Sequence, residues 1–167
     1  GTLIVSNVSS LGSTTGATTV SSGATLKVTA AVVIPEGLTL AGTGDTSAGA
    51  LYFTESGEWS GTVALGADST VQVSSTKTAT ISGVVSGGFG LSKSSAGTLT
   101  LSAANTYSGA TTIENAGGGI TVSDSGSLGT GSPKTYSAGI SLGSSTTFTY
   151  ASSTDQTLSG VISGSGA

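Results

Sequence analysis

Residues Thr80 to Gly117 read TISGVVSGGFGLSKSSAGTLTLSAANTYSGATTIENAG, and their centre is Gly97-Thr98-Leu99-Thr100-Leu101-Ser102. Leu99 and Leu101 alternate with Thr98, Thr100 and Ser102, which gives one apolar face and one hydroxyl face. This is the period-two pattern of a half-buried strand. Ala104-Asn105 marks a turn, Thr106-Tyr107-Ser108-Gly109 follows, and Ala110-Thr111-Thr112-Ile113 is a second short alternating run. Glu114-Asn115-Ala116-Gly117 is again a turn signal. Each strand is too short to bury a core alone, so the pattern is consistent only with copies stacked on one another.

The rest of the 167 residues extends the same grammar. Short apolar runs recur at Thr2–Val5, Ala24–Val28, Ala31–Ile34, Ala50–Phe53, Ser69–Val73, Ala79–Val85, Tyr136–Leu142, Thr146–Tyr150 and Gln156–Ile162, separated by Gly, Ser and Asn. Ala31–Ile34 is continuous and reads as a buried strand, with Pro35-Glu36-Gly37 at a corner because proline lacks a ladder donor. No amphipathic helix of useful length is present. An apolar-Ser-Gly triplet recurs at Trp59-Ser60-Gly61, Ile81-Ser82-Gly83, Tyr107-Ser108-Gly109 and Leu158-Ser159-Gly160, at intervals of 22, 26 and 51 residues. These intervals suggest a coil of roughly 20–26 residues, built of three short strands and three turns. A second echo, Val5-Ser6-Asn7 with Leu11-Gly12 against Val122-Ser123-Asp124 with Leu128-Gly129, has an offset of 117 and suggests a long-period repeat.

The run from Gly97 to Ile113 resembles the autotransporter-associated β-strand repeat, also called the passenger-associated transport repeat, whose typical form is GTLTLSGANTYSGGTTI. Gly97–Ser102, Ala104–Gly109 and Thr111–Ile113 carry the likeness; Ala103 and Ala110 stand where glycine is usual. The resemblance implies an all-β fold, a single-stranded right-handed parallel β-helix. It also implies a structural or secretion-assisting role, with no catalytic residue to carry over. On this reading residues 1–167 are one β-helix segment of about seven or eight coils, an internal fragment of a longer passenger, with residues 80–117 as the repeat. The expected location is the bacterial cell surface, anchored through a C-terminal barrel that this chain does not contain. The expected partners are the neighbouring coils of the same polypeptide, with host-surface or biofilm partners beyond them.

Composition agrees with stacking. Charged residues make up 7%, against about 25% in an ordinary globular domain. Hydroxyl side chains can be stacked at strand spacing without repulsion, whereas charges cannot. Net charge is −4, arginine is absent, and Lys27, Lys77, Lys93 and Lys134 are scattered. This gives no basic patch for nucleic acid, and no 18-residue apolar run spans a membrane. Cysteine is absent, which removes disulfides and thiolate metal sites.

Histidine is absent too, so the commonest general base and metal ligand is missing. The acids are Glu36, Asp45, Glu55, Glu58, Asp68, Glu114, Asp124 and Asp155. Only Glu55 and Glu58 are close in sequence, and a solvated turn explains them better than a glycosidase pair. Gly42-Thr43-Gly44-Asp45 has one carboxylate where calcium repeats need several copies. Gly87-Gly88-Phe89-Gly90 lacks the Lys-Ser/Thr of a phosphate loop. The reading is therefore no enzyme, with no catalytic, cofactor or metal residue.

Trp59, Tyr52, Phe53 and Tyr107 fit core packing better than a sugar-stacking platform. Asn105 and Asn115 fit turns, with an internal asparagine stack as the alternative. An ice-binding face needs a Thr-x-Thr pair on every rung; Thr98/Thr100 and Thr147/Thr149 fit, and most rungs are expected not to. Leu99, Leu101, Ile113, Ile81, Val85, Val122, Leu142 and Val161 are expected to point inward.

Overall fold

A computed structural model describes residues 1–114 and 117–165. The chain is a parallel β-solenoid. It passes three faces in the same order, with a regular strand on each in most turns, and every strand pair named below is parallel. On the first face eight strands stack: Thr2–Val5, Thr25–Val28, Leu51–Phe53, the second half of Val63–Val73, Leu91–Ser94, Thr111–Ile113, Ile140–Leu142 and Ile162–Gly164. On the second face lie Val33–Ile34, Glu58–Trp59, Thr78–Ile81, Thr98–Leu101, Gly119–Asp124 and Thr147–Ser152. The third holds Ala17–Val20, Gly37–Gly42, the first half of Val63–Val73 and Val85–Ser86, and later Lys134–Tyr136 and Gln156–Leu158.

Register along the first face gives the length of each turn: 23, 25, 20, 22, 20, 29 and 22 residues. Seven turns therefore separate eight rungs, as the sequence leads one to expect. The 29-residue turn exceeds the expected length because a small antiparallel loop, Thr130 paired with Thr135, is inserted in it.

Alternation sets the core. Leu3, Leu26, Leu51, Val71, Lys93, Ile113, Leu142 and Gly164 form one inward column on the first face. Ala79, Leu99, Ile120 and Phe148 form another on the second. Leu99, Leu101, Ile113, Ile81, Val85 and Val122 are fully or almost fully buried, and Leu142 is half-buried against them. Each fully buried aliphatic side chain contributes about 1.5–3 kcal/mol. Val161 does not follow the expectation, being 75% exposed. The residue in register with buried Ile140 is Ile162, and a shift of one residue turns a side chain to the opposite face. The run 31–34 is not a buried strand either: only Ile34 is fully buried, Val32 packs part-buried against the core, and Val33 is half exposed.

The Ser-Gly triplets mark corners of two kinds. Trp59 and Ile81 are register partners at the end of the second face. The Trp59 carbonyl accepts the N–H groups of Ser82 and Gly83 at 3.0 and 3.4 Å. Leu158 stands in register with Tyr136 at the end of the third face, and the Tyr136 carbonyl accepts from Ser159 and Gly160 in the same way. Glycine is required because the coils touch there: a Cβ on Gly83 would run into the Gly61 carbonyl, and one on Gly160 into that of Ala138. The interval of 22 is thus one turn and that of 51 is two. The interval of 26 joins corners of different kinds and measures no coil. The 117-residue echo also joins unlike positions, since Val5 lies on the first face and Val122 on the second.

Candidate functional site

Between Ser86 and Lys134 the third face has no regular strand among the described residues, and a side chain does the joining. Asn105 is fully buried. Its Oδ1 accepts the N–H of Val85 at 2.9 Å, one coil below. Its Nδ2 donates to the carbonyls of Ala103 at 2.7 Å and of Ser127 at 3.2 Å, the latter one coil above. Its backbone N–H also donates to Ser127 O at 2.9 Å, and Ala104 and Ser127 form a parallel bridge. One amide therefore satisfies backbone groups of three successive coils. Asparagine suits the task because its side chain carries both a donor and an acceptor. The turn reading of Asn105 is corrected: the residue points inward, as in the alternative. Asn115 lies outside the described residues.

Beside it runs a buried hydroxyl chain. Tyr107 and Tyr136 stack edge to face with centroids 5.7 Å apart. The Tyr107 hydroxyl and the Thr111 hydroxyl are 2.7 Å apart, Thr111 Oγ1 and the Tyr136 hydroxyl are 2.7 Å apart, and Tyr136 donates to Gly109 O at 2.5 Å. Burial raises both phenols above their ordinary value, Tyr107 well above it, so both remain neutral donors. Tyr107, Trp59 and Phe53 are core residues, as expected. Trp59 Nε1 donates to Glu36 O at 2.7 Å. Tyr52 is half-buried on the outside, where its ring lies 5.2 Å from Lys27 Nζ and its hydroxyl 3.0 Å from Ser74 Oγ.

Lys93 was not singled out by its residue type, yet its position was legible. In Leu91-Ser92-Lys93-Ser94 it shares a face with Leu91, and it is fully buried between Val71 and Ile113 in the aliphatic column. The ammonium reaches the corner and donates to Ser95 O. A Cβ on Gly118 would occupy the space the amine fills. Loss of solvation lowers its pKa to about 8, and the charge of Glu114 acts in the opposite direction.

The acids do not converge. Glu55 pairs with Lys77 Nζ at 2.5 Å, and Glu58 accepts from Ser82. Both tie one coil to the next: Glu55 does so from the bend at residues 54–56 with its side chain 44% exposed, as the solvated-turn reading expects, and Glu58 from the strand Glu58–Trp59, where that reading is corrected. Glu36 is nearly buried and accepts from Thr18 Oγ1 at 2.8 Å. No group of three His, Cys, Asp or Glu among the described residues could hold a metal. An open groove of about 250 Å³, lined in part by Val33, Gly57, Glu58, Thr78 and Thr80, crosses three coils. No helix among the described residues is long and apolar enough to cross a membrane.

The comparison with protein families selects the same region. Residues 91–118 match the family model of the passenger-associated-transport-repeat. The chain carries this repeat. Its match begins at Leu91, where the sequence suggested Thr80, and ends one residue beyond the expected Gly117. Leu91 and Thr111 are register partners, so the repeat is one complete 20-residue coil plus the first strand of the next. Asn105 lies on its third face beside Val85, and Lys93, Tyr107 and Thr111 also lie within it. No curated protein and no solved structure matches the chain.

Proposed function

We propose that this chain is a structural stalk segment of an autotransporter passenger, and that its transport repeat assists folding of the passenger during secretion. The repeat and the β-solenoid fold fit a passenger structural segment. The observation that carries the finer reading is the placement of Asn105 within the repeat, where one side chain joins three coils. A solenoid gains its stability from nearest-neighbour interfaces, so a coil that binds strongly on both sides nucleates order that spreads to its neighbours. Outside the cell envelope, such ordering makes the return of the chain unfavourable. On this reading the protein is exposed at the bacterial surface, held there by a barrel elsewhere in its parent polypeptide, and acts by shape rather than by turnover.

Deletion of residues 80–117 from the full-length parent tests the proposal, with surface display quantified beside total expression. The expected result is a retained, degraded passenger. Normal display with lost adhesion contradicts the folding role and favours an adhesin module that binds host glycan or protein.

A further inference from the structure

The outward side of the second face carries a regular lattice of hydroxyls. Register places Thr78 beside Thr98 and Thr80 beside Thr100. Thr98 then lies beside Gly119 and Thr100 beside Thr121. Gly119 is followed by Thr147 and Thr121 by Thr149. The inward neighbours Ala79, Ile81, Leu99, Leu101, Ile120 and Val122 are buried, which fixes the threonines on the opposite side. Two columns thus cross four coils, with seven of their eight positions threonine. Thr78-Ala79-Thr80 and Gly119-Ile120-Thr121 supply the rungs that the sequence reading did not count.

Three features define what this lattice fits. None of the seven threonine hydroxyls makes a hydrogen bond within the described residues, whereas those of Thr18, Thr25 and Thr111 do. The lattice holds no charge: Glu58 opposes Thr80 at one margin and is tied to Ser82, and Asp124 closes the other. The spacing is regular in two dimensions, about 4.8 Å from coil to coil and about 6.7 Å from Thr to Thr along a strand. Threonine is also stiff about χ1, so methyl and hydroxyl are held in place before any partner arrives.

A glycan is recognised by convergent polar groups or an aromatic platform; here Phe148 and Tyr150 occupy the inward-facing positions of their strand. An uncharged partner with a matching two-dimensional repeat of hydrogen-bonding oxygens is the surface of ice. The geometry points to an ice-binding face formed by Thr78, Thr80, Thr98, Thr100, Thr121, Thr147 and Thr149. Methyl groups order the water between the columns, and hydroxyls anchor it in lattice positions.

The test is nanolitre osmometry on the 167-residue chain, with the shape of a single ice crystal recorded. The expected result is a gap between freezing and melting temperatures and a faceted crystal. Thr100→Tyr and Thr121→Tyr raise a ring above the plane and are expected to abolish both effects. Thr112→Tyr, on the first face, is expected to retain them. Circular dichroism and a melting curve show which variants keep the fold; Thr149→Tyr, on an exposed position of the last second-face strand, replaces any that do not. A round crystal with no gap for the parent chain overturns the proposal. So does a gap that survives Thr100→Tyr, or equal loss in Thr112→Tyr. Sedimentation that shows self-association lost in Thr100→Tyr also overturns it, because the face is then an interface between copies.

Discussion

The side-chain oxygen of Asn105 accepts the backbone N–H of Val85, 20 residues earlier and one coil below, at 2.9 Å. The same side chain donates upward to Ser127. Asn105→Ala leaves the buried N–H of Val85 without a partner, while Ser127 O and Ala103 O keep the backbone N–H groups of Asn105 and Ser127. Such a group costs about 1–3 kcal/mol, and that is the expected loss in urea unfolding. Asn105→Asp keeps the acceptor but removes the donor and introduces a buried charge, and it is expected to lose at least as much. A midpoint unchanged in both variants contradicts the three-coil junction.

Leu99 and Val161 form a contrasting pair. Leu99 is fully buried, with Ala79 and Ile120 on either side in its column. Leu99→Asp puts an unpaired carboxylate there and is expected to cost about 4 kcal/mol or more. Val161 is exposed, and Val161→Ser is expected to stay within about 0.5 kcal/mol. Thermal melts of the two variants check the strand parity directly; equal losses contradict it.

Lys93 gives the stack a dependence on pH. Its folded pKa, about 8, lies below the unfolded value of 10.5. Between these values the unfolded chain binds more protons, so stability rises with pH. Relative to Lys93→Met, the parent is therefore expected to gain stability as pH is raised from 7 to 9.5. Measurement stops there because the neutral tyrosines Tyr107 and Tyr136 oppose the trend above pH 10. A difference between parent and variant that is constant over this range contradicts the burial of the amine.

What the sequence made legible follows from how local each signal is. Thr98 to Ser102 alternates strictly, so strand, face and stacking could all be read from it. Lys93 obeyed the same alternation, and its burial was available to any reading that trusted period over residue type. Asn105 was different. A turn and an internal bridge use the same residue, and only the positions of Val85 and Ser127 in adjacent coils distinguish them. Val161-Ile162 offers two adjacent apolar residues, and parity was decided by a partner, Ile140, 22 residues away. The threonine lattice was hidden for the same reason: its rungs are 20, 21 and 28 residues apart, and unequal turns obscure a repeat that register makes regular.

The central claim joins coil stacking at the transport repeat to export, and surface display of Asn105→Ala in the full-length parent tests it most directly. Display per unit of total protein is measured beside that of the parent and of the surface variant Thr112→Ser. The account predicts that Asn105→Ala falls well below both, with the missing passenger retained and degraded, while Thr112→Ser matches the parent. Full display of an Asn105→Ala chain shown to be destabilised would contradict it.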